Sequence, residues 1–275
     1  MFKVAGIQYC AGDNHAQNLK HIKPMIKKAA ETALFVALPE AATYIAADPD
    51  QLMSSAEWDD DSPSQRELSE LARSLNIWLL IGSLILRKKN KNQLVNRSLL
   101  VKPNGDLACI YDKIHMFDAD IGDGQTYRES NKFTSGSSPI LAKVGTVNVG
   151  LSICYDVRFP HLYRKLAQDG AKILLVPSAF TEKTGRAHWH VLLRARAIEN
   201  GCFVIAPAQS GTHADGRKTF GHSLIVDPWG TIIADAGIGD AVITAELDLN
   251  AVEQARKSVP SLYSNPIIEE TKKYR

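Results

Sequence analysis

No apolar run in this sequence approaches the roughly 20 residues needed to span a bilayer, so no transmembrane helix is expected. The N-terminal residues lack a cationic stretch followed by an apolar core and a small-residue cleavage site, which argues against a secretory leader. Cysteine is scarce and scattered. Cys10, Cys109, Cys154 and Cys202 form no Cys-x-x-Cys pair, so neither a zinc knuckle nor a disulfide framework is suggested. Free thiols without an export signal lead us to expect a cytoplasmic protein. An excess of either charge is missing too: 32 Lys and Arg face 30 Asp and Glu, a formal charge of +2. That balance gives no general pull toward nucleic acid or an anionic membrane. The densest basic run, Arg87-Lys88-Lys89-Asn90-Lys91-Asn92, lies between two apolar segments and reads as a solvated hairpin turn.

What is present is an alternation of strand-like and helical patterns from end to end, with 45% hydrophobic residues overall. Residues 4–9, 34–38, 77–86, 94–101, 147–153, 173–176, 203–206, 223–226 and 241–245 read as strands. Residues 14–32 and 63–75 read as helices, the second started by Ser62 as cap and Pro63 in the first turn. A further helix is expected after Phe159, and another over about 186–200, closed by Gly201. The unbroken runs Trp78-Leu79-Leu80-Ile81 and Ile173-Leu174-Leu175-Val176 predict strands buried on both faces. With no Ser/Gly/Pro-rich linker, repeat or low-complexity tract, the expectation is one α/β domain over 1–250. Residues 251–275, more polar, are expected to form a C-terminal arm of that domain.

Three polar residues follow apolar runs. Glu40 ends Leu38-Pro39-Glu40, where a carboxylate serves equally as a general base or as a cap. Cys154 closes Val149-Gly150-Leu151-Ser152-Ile153, where a thiol meets a loop and its pKa can be lowered; a small buried hydrophobe is the plainer reading. Lys113, in Tyr111-Asp112-Lys113-Ile114-His115, would on its own be a surface ion-pair partner of small energetic weight. Nucleophile, proton carrier and fixed positive charge are nevertheless what amide hydrolysis requires. A buried glutamate with a raised pKa would suit proton transfer near neutrality.

These three segments, the last running on as Cys154-Tyr155-Asp156-Val157-Arg158-Phe159-Pro160, resemble the carbon–nitrogen hydrolase (nitrilase-like) family in kind and order over residues 2 to about 250. The resemblance implies an α/β fold of four layers, an αββα sandwich, paired into a homodimer or higher homo-oligomer. It implies that Cys154 attacks a carbonyl or nitrile carbon, that Glu40 moves the protons, and that Lys113 and the N–H following Cys154 hold the oxyanion. Glu129, in Tyr127-Arg128-Glu129-Ser130, matches a second glutamate that orients the lysine, with Tyr155 supporting the site. No metal and no cofactor is implied.

Nitrile-cleaving members usually carry Trp-Glu after the cysteine; Tyr155-Asp156 here favours an amide. The segments 177–199, 208–211 and 216–223 look like the subgroup that hydrolyses deaminated glutathione to 2-oxoglutarate and Cys-Gly. The alternative is an omega-amidase acting on 2-oxoglutaramate. Such small-molecule substrates are anionic, which makes Arg158, Arg186 and Arg217, with Thr184, candidate binding residues, although each arginine could equally be a structural partner, the role we favour for Arg158. A papain-like hydrolase would instead pair Cys154 with His188, His190 or His222. His188 and His190 lie about 200° apart on a helix and cannot share one zinc ion. A non-enzymatic interaction protein with an idle site is the remaining alternative.

Overall fold

Alternate residues of the first strand, Phe2–Gln8, serve two different cores: Val4 faces one, Ala5 and Ile7 the other. The period-two geometry of a strand makes this possible, and the neighbouring strands repeat it. Phe35 and Ala37 join Val4 while Val36 joins Ala5; Leu80 joins the first group while Leu79 and Ile81 join the second. In the computed structural model, which describes residues 1–272 except 49, 90–92, 123, 265, 268 and 270, these strands belong to one seven-stranded sheet. Its order is Ala241–Leu247, Phe2–Gln8, Phe35–Ala37, Trp78–Arg87, Leu94–Val101, Leu107–Asp112, with Glu57–Trp58 beside Trp78–Arg87.

The outer core is closed by two amphipathic helices. His15–Ala30 contributes Leu19, Ile22, Ile26 and Ala29, spaced to share one face, and Pro63–Leu75 contributes Leu68, Leu71 and Ala72. Asn14 caps the first helix and Ser62 the second. The inner core faces a six-stranded sheet of order Ile232–Asp235, Leu224–Val226, Phe203–Ala206, Ile173–Leu175, Val147–Leu151, Ile140–Val144. Helices Pro160–Gln168 and Glu182–Asn200 cover its far side with Leu162, Leu166, Trp189, Leu193 and Ala197. The layers are therefore helix, sheet, sheet, helix, the expected αββα sandwich. Gly201 closes Glu182–Asn200 in the left-handed conformation.

The expected strands and helices are all found, some shifted by a few residues at their ends. Glu182–Asn200 starts about a turn earlier than expected, and strands Leu107–Asp112, Ile140–Val144 and Ile232–Asp235 were not anticipated. Trp78–Arg87 and Leu94–Val101 pair as the expected antiparallel hairpin; its tip, 90–92, lies outside the described residues. Within the segment assigned to a C-terminal arm, Asn250–Ser258 is a helix, and Val252 and Leu262 are buried in the inner core. Arg256 ties it down further, donating to the carbonyls of Asn200 and Ala171. Among the described residues no helix is long and apolar enough to cross a membrane.

Candidate active site

Central strands of both sheets run parallel, and the groups of interest lie just beyond their carboxyl ends, where α/β sheets build ligand sites. Glu40 follows Phe35–Ala37, Cys154 follows Val147–Leu151, Ala179 follows Ile173–Leu175, and Lys113 ends the antiparallel strand Leu107–Asp112. Glu40 is aimed by a bulge in the neighbouring strand. The pairing of Trp78–Arg87 with Leu94–Val101 shifts register between Ile81 and Leu84. At Gly82 within that bulge, a Cβ would stand 1.9 Å from the carbonyl oxygen of Leu38 and 2.4 Å from that of Pro39. Only glycine lets the Leu38-Pro39-Glu40 segment come so close. Ser83 then accepts the N–H of Ala41 at 2.8 Å, just past the glutamate.

Glu40, Lys113 and Cys154 are all buried. Lys113 Nζ donates to Glu40 Oε1 at 3.2 Å and to Glu129 Oε1 and Oε2 at 3.0 and 2.8 Å. Glu40 is further held by Asn96 Nδ2 at 2.8 Å on Oε1, the Ala179 N–H at 2.7 Å on Oε2, and the Cys154 thiol. Glu129 also accepts the Phe117 N–H at 2.7 Å. Cys154 opens a short 3-10 helix, Cys154–Arg158, with φ of 49°, a left-handed conformation unusual for a residue with a side chain. The Tyr155 N–H lies in the first turn of that helix, where amides have no partner within the helix.

Asp156 and Asn96 were not anticipated. Asp156 is fully buried and binds the Tyr111 hydroxyl at 2.6 Å, His115 N and Nδ1 at 3.0 and 2.7 Å, and the Ile153 N–H at 2.9 Å. It thereby clamps the segment on both sides of Lys113 to the turn that carries Cys154. Asn96 links Glu40 to Glu129, lying 3.4 Å from the latter.

Electrostatics correct two expectations. Burial would raise the Glu40 carboxyl, but Lys113, the Cys154 thiol, Ala179 N–H and Asn96 together outweigh it and hold it below the ordinary value of 4.5. The Cys154 thiol is pushed well above 9.0, by burial first and by the Glu40 carboxylate second, against the pull of Lys113. Lys113 is raised, its two glutamates overcoming desolvation. The resting state is thus carboxylate, ammonium and neutral thiol, with the Glu40 carboxylate lying beside an undissociated Cys154 thiol.

A cavity of about 390 Å³ opens onto these groups. Its walls include Glu129, Tyr155, Arg158, Thr184 and Arg217, together with Tyr44, Phe117, Tyr127 and Phe180. Arg158 lies over the rings of Tyr155 and Phe180, at 5.8 and 5.1 Å, with His188 Nδ1 3.2 Å from its Nη1. Arg217 Nε is buried without a hydrogen bond and stands 3.6 Å from Asp215. Arg186 does not join them. It follows Thr184 by two helical positions, which turns it about 200° away; it is 71% exposed and pairs with Glu182. The histidines offered as partners for Cys154 are engaged elsewhere: His188 on Arg158, His190 and His222 on Asp235.

The carbon–nitrogen hydrolase model matches residues 3–257. The chain belongs to the carbon–nitrogen hydrolase family. This carbon–nitrogen hydrolase is 38% identical over 267 residues to a deaminated glutathione amidase of Yersinia enterocolitica, covering 96% of this chain and 93% of that one. Its fold matches the crystal structure of the C. elegans NitFhit protein with a TM-score of 0.88 and 37% identity, covering 94% of this chain and 63% of that longer one. It matches Saccharomyces cerevisiae Nit3, a member of the nitrilase superfamily, with a TM-score of 0.84 and 30% identity over 94% of each chain. The carbon–nitrogen hydrolase acts on carbon–nitrogen bonds other than peptide bonds.

Proposed function

We propose that the chain is a cysteine-dependent amidase whose nucleophile is Cys154 and whose substrate is deaminated glutathione, released as 2-oxoglutarate and Cys-Gly. The observation that carries this reading is the buried Glu40–Lys113–Cys154 arrangement in the wall of a cavity that also presents Arg158 and Arg217. Sγ attacks the amide carbon while its proton passes to Glu40. Lys113 Nζ and the Tyr155 N–H meet the oxygen as it becomes negative. The intermediate collapses, the amine leaves with the proton from Glu40, and a thioester remains on Cys154. Water then attacks the thioester, its proton going to Glu40 and on to Sγ as the acid departs. Glu129 keeps Lys113 oriented throughout.

Arg158 suits one substrate carboxylate, since among the described residues no acidic side chain is hydrogen-bonded to it and burial lowers its own pKa. Arg217, with an unsatisfied Nε, suits a second carboxylate farther along the cavity. The identity to deaminated glutathione amidases supports the same choice. We further propose a cytoplasmic homodimer or higher homo-oligomer with no nucleic-acid partner. Support for pairing comes from the outward face of Glu182–Asn200, where Val191 and Ile198 are 67% and 53% exposed beside Trp229 at 62%. Apolar side chains grouped in this way mark association surfaces.

The test is a turnover assay of wild type and Cys154→Ala on deaminated glutathione, 2-oxoglutaramate and a simple nitrile, with mass spectrometry of trapped acyl-enzyme. Wild type is expected to prefer deaminated glutathione and to carry the acyl group on Cys154. The alanine variant should lose on the order of 10⁶ in turnover. Preference for 2-oxoglutaramate would replace the substrate while leaving the amidase, and retention of about a tenth of activity by the variant would remove the mechanism.

A further inference from the structure

Away from the cavity, three side chains from three separate elements converge on one point. His190 lies on helix Glu182–Asn200, His222 follows strand Lys218–Phe220, and Asp235 ends strand Ile232–Asp235. Their ligating atoms all lie within 4.8 Å of one another. His190 Nε2 is 3.1 Å from Asp235 Oδ2, and His222 Nδ1 is 2.9 and 3.1 Å from Oδ1 and Oδ2. None of the three lines the catalytic cavity or touches Glu40, Lys113 or Cys154 in the hydrogen-bond network described above.

We propose that His190, His222 and Asp235 form a binding site for a divalent transition-metal ion of the zinc class. Zinc bonds of about 2.0–2.1 Å in a tetrahedron place neighbouring ligand atoms about 3.3 Å apart. The His–Asp spacings need only a few tenths of an ångström of expansion to admit the ion, and all three ligand atoms already lie within 4.8 Å of one another. Two imidazoles and one carboxylate form a borderline donor set that zinc accepts, with water as the fourth ligand. Each ring would carry its proton on the nitrogen turned away from the ion, so neutral histidines bind without net loss of a ring proton.

The ligands are also held by their surroundings. Asp235 Oδ1 accepts the Gly237 N–H at 2.8 Å. His222 is fixed at φ of 52°, its N–H on the Gly237 carbonyl at 2.7 Å and its own carbonyl on Trp189 Nε1 at 2.7 Å. Its ring stacks on Phe220 with centroids 4.5 Å apart, and His190 meets both rings edge-on. Such outer support is what keeps metal ligands in place. His190 on Glu182–Asn200 would then be joined to the 222–235 segment, stiffening the helix whose first turn reaches the cavity at Thr184. The inference is independent of the amidase reading.

The experiment is calorimetric titration of chelator-stripped full-length protein with Zn²⁺, repeated with Co²⁺ followed by visible absorption, alongside thermal melting. His190→Gln and His222→Asn serve as variants, because asparagine tolerates the left-handed backbone of position 222. Wild type should bind one ion per chain, melt at a higher temperature with Zn²⁺, and give a Co²⁺ spectrum without thiolate charge-transfer bands. Each variant should bind at least about tenfold more weakly, lose the thermal shift, and keep wild-type amidase turnover without metal. Equal affinity in wild type and either folded variant would overturn the site. So would a Co²⁺ spectrum with thiolate bands alone, which would place the metal on cysteine, or no binding by wild type.

Discussion

Glu40 keeps its negative charge in a buried site because four donors converge on it, and that charge is one reason the neighbouring thiol stays protonated. Converting Glu40 to Gln removes a Coulombic repulsion and an acceptor from Cys154 while leaving Lys113 in place. The Cys154 thiol should therefore titrate at lower pH in Glu40→Gln than in wild type, read from thiolate absorbance with Cys154→Ala as the blank. Turnover should nonetheless fall on the order of 10² or more, since the proton shuttle is gone. An unchanged titration would show that Glu40 does not govern the thiol. For wild type, the carboxyl lies below 4.5, so the base form survives throughout the neutral range and the acid limb of kcat/KM falls beneath that value. The same shift stabilises the fold above the ordinary carboxylate value and is lost as pH drops through the folded one. Arg217 is the second test at this scale. Truncation to alanine should cost about 2–5 kcal/mol of transition-state binding with deaminated glutathione, through loss of a pairing with a desolvated carboxylate. The shorter 2-oxoglutaramate should suffer much less, and equal losses in kcat/KM would remove Arg217 from the distal pocket.

The bulge at Gly82 shows how a single element serves the site. Alanine there would drive its Cβ into the carbonyls of Leu38 and Pro39, so the strand end carrying Glu40 must move. Overpacking costs about 1–3 kcal/mol or more, and a chain of this size loses about 2–4 °C per kcal/mol. Gly82→Ala should melt several degrees lower and turn over more slowly in whatever folds; a wild-type melting temperature and rate would contradict this. Such features mark where the sequence became unreadable. Glu40, Lys113 and Cys154 were legible because each ends an apolar segment within a recurring motif. Asn96 was not, because a polar residue in Leu94-Val95-Asn96-Arg97-Ser98 looks like the solvent side of an alternating strand, yet both Asn96 and Ser98 are buried. Asp156 hid in a similar way, its partners lying 41 and 45 residues back along the chain. Arg186 misled for the opposite reason: proximity to Thr184 in sequence became opposition on a helix that starts earlier than expected. Helix Asn250–Ser258 looked like an arm because only Val252 is buried in it.

For the whole molecule, the apolar face around Val191, Ile198 and Trp229 determines assembly in our reading. Light scattering should find a dimer or a multiple of it, and Ile198→Glu with Trp229→Glu should shift the mass to one chain; an unchanged mass would move the interface elsewhere. The sandwich itself divides the chemistry. Glu40, Asn96 and Lys113 come from the sheet that also holds both chain-terminal strands, Phe2–Gln8 and Ala241–Leu247, whereas Cys154 and the Ala179 N–H come from the sheet formed by residues 140–235. In the proposed mechanism base and nucleophile thus stand on opposite banks of one seam, and neither sheet holds a working half. On that mechanism, slippage of the banks by the length of a hydrogen bond should silence the reaction before a single strand is lost, which would make catalysis itself a gauge of how truly the two sheets are seated.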